Sequence, residues 1–79
     1  MENNNTLDVQ ILLHNIAFLR QHHNLSKKKM AQALHISVES LNKIERGILP
    51  ERLSAEVLVH LANRFNYTTV ELLTRRLSE

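Results

Sequence analysis

One local pattern recurs four times along the chain: an apolar residue, a serine or threonine, three further residues, and a second apolar residue. It reads LSKKKM from Leu25, ISVESL from Ile36, LSAEVL from Leu53 and YTTVEL from Tyr67. In each case the hydroxyl can accept from an unpaired N–H of a first helical turn, and the flanking apolar pair can close over it as a hydrophobic staple. Glu71, three residues after Thr68, completes a capping box. The repeats predict short helices starting near Lys27, Val38, Ala55 and Thr69, the first two running to Leu34 and Arg46. A fifth segment, from about Leu7 to His22, is helical in periodicity, with Thr6 as its cap. The single Gly and single Pro both lie between residues 47 and 50, so hairpin turns have little to form from. The chain reads as all-α.

Stop signals fall where these starts require them. Asn24, Gly47 and Asn66 occupy left-handed C-cap positions, and His35 takes the equivalent place after the second helix. Asn and His tolerate positive φ better than most non-glycine residues, so His35 is a mild local cost. At 100° per residue the inward stripes are Leu12, Ile16 and Leu19; Met30, Ala31 and Leu34; Leu41 and Ile44; Leu58, Leu61, Ala62 and Phe65; and Val70, Leu73 and Leu77. The short His-Ile-Ser link forces the second and third helices into a tight corner.

The 79 residues suffice for one small core. MENNN has nothing to bury and reads as a disordered tail, leaving residues 6–79 as a single domain. With no cysteine, no signal peptide and no membrane-length apolar run, a cytoplasmic protein is expected. No nucleophile–base set or Gly-rich phosphate loop is present, and the five histidines lack metal-ligand spacing, so neither enzyme, cofactor nor metal is expected.

A net charge of +2 argues little for nucleic acid, but its placement does. Lys27, Lys28 and Lys29 open the second helix, where cations oppose the helix dipole at roughly 0.3–1 kcal/mol each. A phosphate at that turn would meet lysine, dipole and free N–H groups together, with Lys27 and Lys28 the better placed. The outward face of the third helix carries Glu39, Asn42, Lys43 and Arg46, with Val38 at its start. Lysine can donate to guanine, glutamate can accept from cytosine N4, asparagine can read a base or bond a phosphate, and valine can touch a thymine methyl.

On these residues the span Asn15–Leu73 resembles the Xre-type helix-turn-helix family, which includes the lambdoid phage repressors and Cro. The matching pieces are IAFLR from Ile16, LSKKKMAQALHIS from Leu25, SLNKIERG from Ser40 and SAEVLVHLANRFNYTTVELL from Ser54. The resemblance implies a compact five-helix, lambda-repressor-like DNA-binding domain whose second and third helices form the helix-turn-helix. It implies a repressor-like, sequence-specific transcriptional regulator that places helix 38–46 in the major groove of double-stranded DNA as a homodimer. By position, Val38, Glu39 and Lys43 fall on base-facing sites with Asn42 beside them. Lys27 and Ser37 fall on phosphate sites, Arg46 and Arg52 where backbone contacts are common, and Arg20 and Glu45 on a structural ion pair. The chain departs from the family in having His35 and Asn66 where Gly is usual and Lys27 where Gln is usual. Glu51-Arg52-Leu53 lengthens the loop before the fourth helix, and Glu39 would repel phosphate unless a donor meets it.

A second apolar stripe, Leu7, Ile11 and Phe18 with His14 between, lies opposite the first helix's inward face. Either the fifth helix folds back over it or it is a self-association or partner surface. The latter suggests an alternative function, a protein-interaction module of antitoxin or anti-regulator type.

Overall fold

A computed structural model describes residues 8–51 and 53–78. Five helices follow in order, α1 Val9–His22, α2 Lys27–Leu34, α3 Val38–Glu45, α4 Ala55–Phe65 and α5 Thr69–Thr74, with no strand among the described residues. The residues expected to form the tail, together with Thr6 and Leu7, lie outside the described part. Asp8 caps α1, its carboxylate accepting from Gln10 N at 2.8 Å, so the helix starts two residues later than the periodicity suggested. At the other end of the corner, α3 stops one residue early. Arg46 is its C-cap, with its N–H returned to the carbonyls of Asn42 and Lys43.

Three of the four repeated starts cap through the hydroxyl. Ser26 Oγ accepts from Lys29 N, Ser37 Oγ from Ser40 N and Thr68 Oγ1 from Glu71 N. Ser54 is the exception: its hydroxyl takes no capping bond, because its own carbonyl accepts the Val57 N–H at 3.1 Å and satisfies that donor through the backbone. The capping box of α5 is complete. The Thr68 N–H bonded to Glu71, ahead of the Thr68 hydroxyl and the Arg75 charge, holds that carboxyl below its ordinary range. The staple residues Leu25, Ile36, Leu53 and Tyr67 are all half-buried and pack against the core.

All four turn residues adopt left-handed backbone: Asn24 at φ 56°, His35 at 59°, Gly47 at 79° and Asn66 at 63°. For His35 that conformation costs on the order of 1–2 kcal/mol. Its ring stacks on His60 of α4 with centroids 4.2 Å apart. The turn therefore closes without glycine, and it is tied to the helix behind it.

The core gathers Leu12, Leu13, Ile16, Leu19, Met30, Ala31, Leu34, Leu41, Ile44, Val57, Leu61, Leu72 and Leu77. α1 packs on α3 and α5, α2 on α3 and α4, and α4 on α5. Because α1 is flanked on two sides, its buried arc is wider than one stripe and takes in Leu13 and Asn15. On α4 the buried pair is Val57 and Leu61, with Leu58, Ala62 and Phe65 half-buried beside them.

The C-terminal element departs from the helical wheel. Leu72 is fully buried and Val70 is 59% exposed, so of the expected stripe Leu73 and Leu77 pack inward and Val70 does not. The helix ends at Thr74, and Arg75 is extended at φ −108°, ψ 120°, so Leu77 reaches the core from a non-helical strap. Asn15 secures that strap. Its Nδ2 donates to the carbonyls of Leu72 (2.9 Å) and Arg75 (2.8 Å), and its Oδ1 accepts from Leu77 N (2.9 Å). His14 Nε2 lies 2.9 Å from Leu77 O, and Asp8 N donates to Leu73 O. The strap thus packs along α1, the helix that carries the second apolar stripe. Ile11 and Phe18 are half-buried, and Phe18 stacks between His14 and His22.

Arg20 and Glu45 join α1 to the end of α3. The guanidinium donates to Glu45 through Nε and, at 3.0 Å, through Nη2, while Nη1 donates to Leu25 O at 3.0 Å. One side chain thus holds the carboxylate of α3 and the turn entering α2, with only 17% and 11% of the two side chains exposed.

Two stability outcomes follow from these clamps. Asn15→Ala leaves two buried backbone groups and the part-buried Arg75 carbonyl without their side-chain partner and is expected to cost about 3 kcal/mol or more in urea melts. Asn15→Asp should be at least as damaging, since a carboxylate would face two carbonyls; a loss under about 1 kcal/mol for either would refute the clamp. Glu45→Ala should cost roughly 2–4 kcal/mol, whereas the double replacement Arg20→Met with Glu45→Leu should recover most of it. Equal destabilisation by single and double variants would contradict that assignment.

Candidate nucleic-acid interface

The second helix starts with an unusual concentration of positive charge. Lys27, Lys28 and Lys29 are all exposed, the first turn holds no acid, and none of the three forms an ion pair among the described residues. Ser26 Oγ occupies the Lys29 N–H, leaving the backbone N–H groups of Lys27 and Lys28 without a partner among those residues. Two free donors, the positive end of the helix dipole and the lysine side chains therefore converge on one turn. This is the chemistry of an anion seat.

Across a three-residue link from the end of α2, α3 presents its outer face from the same corner. Val38 is 40% exposed at its first position, and Glu39, Lys43 and Arg46 are exposed while Leu41 and Ile44 are buried. Glu39 carries its charge in the first turn, where the dipole favours it. The Ser37 hydroxyl is locally engaged, accepting from Ser40 N at 3.0 Å and donating to Ser40 Oγ at 3.1 Å. Any anion at that turn would meet the backbone N–H groups before the hydroxyl.

Asn42 is the least expected member of this face. It is half-buried, and its Oδ1 is buried with no hydrogen-bond partner among the described residues. With the acceptor turned inward, the side chain can offer its amide N–H but not the paired donor and acceptor that adenine would need. Arg52 lies outside the described residues. Asn15 is a contribution that residue reading passed over. For Asn15 the available signal was its position one residue before Ile16 and three after Leu12, within the buried arc.

An open cleft of about 210 Å³ between α1 and the end of α3 is lined by Gln10, Leu13, His14, Ala17, Ile44, Glu45, Gly47 and Arg76. Glu45 there is already held by Arg20. Among the described residues no group of three or more His, Cys, Asp or Glu could hold a metal ion, and no helix is long and apolar enough to cross a membrane.

The arrangement is a rigid corner of two short helices, one offering an anion seat and the other an exposed polar face of long side chains. A family model described as helix-turn-helix matches residues 16–72, from within α1 to α5. No curated protein and no solved structure gives a match. The match takes in every element that builds the corner, and the chain belongs to the Xre-type helix-turn-helix family of DNA-binding domains.

Proposed function

We propose that this chain is a sequence-specific transcriptional regulator of repressor type, acting as a homodimer on double-stranded DNA in the cytoplasm. The observation that carries the reading is the lysine run at the start of α2, whose three charges have no ion-pair partner among the described residues and oppose the helix dipole. In this reading α3 lies in the major groove with Val38, Glu39, Asn42 and Lys43 toward base edges. Lys27, Lys28, Ser37, Arg46 and Arg52 meet phosphates around it. One recognition helix spans only a few base pairs, so two copies about one helical turn apart supply the selectivity a regulator needs.

Glu39 favours a second reading, a protein-interaction module of antitoxin or anti-regulator type, since an exposed carboxylate on this face is unfavourable beside a polyanion. Ile11 and Phe18 would contribute to such a surface through the edge that α5 leaves uncovered. Binding to random-sequence duplex across a salt series separates the two. The wild type should weaken steeply with salt, and Lys27→Ala and Lys28→Ala should each flatten the log–log slope by about 1. An unchanged slope in both variants would remove phosphate contact from α2. Undetectable binding at low salt would leave the protein-interaction reading.

A further inference from the structure

Glu39 and Lys43 stand four residues apart on α3, both exposed, and make no ion pair with each other or with any other described residue. Side chains at this spacing are neighbours on a helix surface, with Cβ atoms roughly 5–6 Å apart, and acid before base is the favourable order for pairing. The pair thus stands open, a carboxylate acceptor beside an ammonium donor on the helix's outer face. Val38 lies one residue before the acid, 40% exposed.

In a groove walled by phosphates the carboxylate is tolerable only where a donor meets it. The major groove supplies such donors as cytosine N4–H and adenine N6–H. The ammonium needs acceptors, and guanine offers two adjacent ones, O6 and N7, where an A·T pair splits its acceptors to either side of the adenine amino group. A G·C pair therefore presents the complement of the pair as it stands: one donor on the cytosine, two acceptors together on the guanine. One helical turn rises about 5.4 Å and one base-pair step about 3.4 Å, so the two side chains reach the same pair or adjacent pairs.

We infer that Glu39 and Lys43 act together as a reader of G·C, with cytosine under Glu39 and guanine under Lys43, and that Val38 packs on a thymine methyl beside them. This rests on the reading of α3 as the helix that enters the major groove. It turns Glu39 from an obstacle to DNA binding into a residue that, together with Lys43, favours a G·C pair.

Selection of bound duplexes from a random library tests it, using the wild type, Glu39→Gln, Lys43→Ala and the charge exchange Glu39→Lys with Lys43→Glu. The wild-type consensus should contain a G·C pair preferred by roughly tenfold or more. Glu39→Gln should replace the cytosine preference with adenine at that position alone. Lys43→Ala should abolish the guanine preference at the same or the neighbouring pair, and the charge exchange should swap guanine and cytosine between strands. A wild-type consensus with no G·C pair responding to Glu39→Gln, obtained while salt-dependent duplex binding persists, overturns the inference and leaves α3 as a DNA-reading helix. Failure of the wild type to bind duplex at low salt overturns both.

Discussion

The orientation of α3 hangs on one guanidinium. Arg20, near the end of α1, holds both carboxylate oxygens of Glu45 and the carbonyl of Leu25 at once. The acid is the last residue of α3 and the carbonyl lies in the turn leading into α2, so both arms of the corner are referenced to α1. A lysine could not do this, because a point charge on a flexible stem lacks the planar fork that grips a carboxylate and a carbonyl together. Apolar packing of Leu41 and Ile44 keeps α3 on the core but would permit it to slide or rotate. The directional bonds remove that freedom.

The opposite side of α1 is fixed by a different chemistry with a similar logic. Asn15 satisfies two carbonyls and one N–H of the strap beyond α5, and the strap delivers Leu77 into the core. Full burial of a leucine contributes roughly 1.5–3 kcal/mol, a sizeable part of what a domain of this length can muster. The buried asparagine is thus the condition for the Leu77 contact, and α1 works as a spine bonded to the α2–α3 corner on one side and the strap on the other.

Much of this was legible in the sequence because it is encoded locally. The hydroxyl starts, the staple residues and the four left-handed turn positions depend on neighbours within five residues, and their geometry leaves few alternatives. What escaped was set by distant parts of the chain. The helical wheel extended α5 to Leu77, but the bonds from Asn15, about sixty residues away, favour extended backbone from Arg75 on. Leu13 and Asn15 were missed because they flank the inward stripe, in the wider arc that α3 and α5 together bury. The exposed charges of α2 and α3 were readable as residues, whereas the inward-turned Oδ1 of Asn42 depends on a rotamer that no pattern shows. Locally unfavourable choices gather at this corner, three cations at a helix start and an orphaned acceptor, which is where a function is expected to override folding preference.

The central claim is that duplex DNA meets the corner of α2 and α3 and leaves the strap side of α1 untouched. Backbone amide NMR during titration with a short random-sequence duplex at low salt tests this most directly. The account predicts that the amides of Lys27, Lys28, Val38 and Glu39 shift most and lose their shifts as salt rises, while those of His14, Phe18 and Leu77 stay within the unbound pattern. Shifts concentrated on His14, Phe18 and Leu77, with the starts of α2 and α3 unmoved, would contradict it.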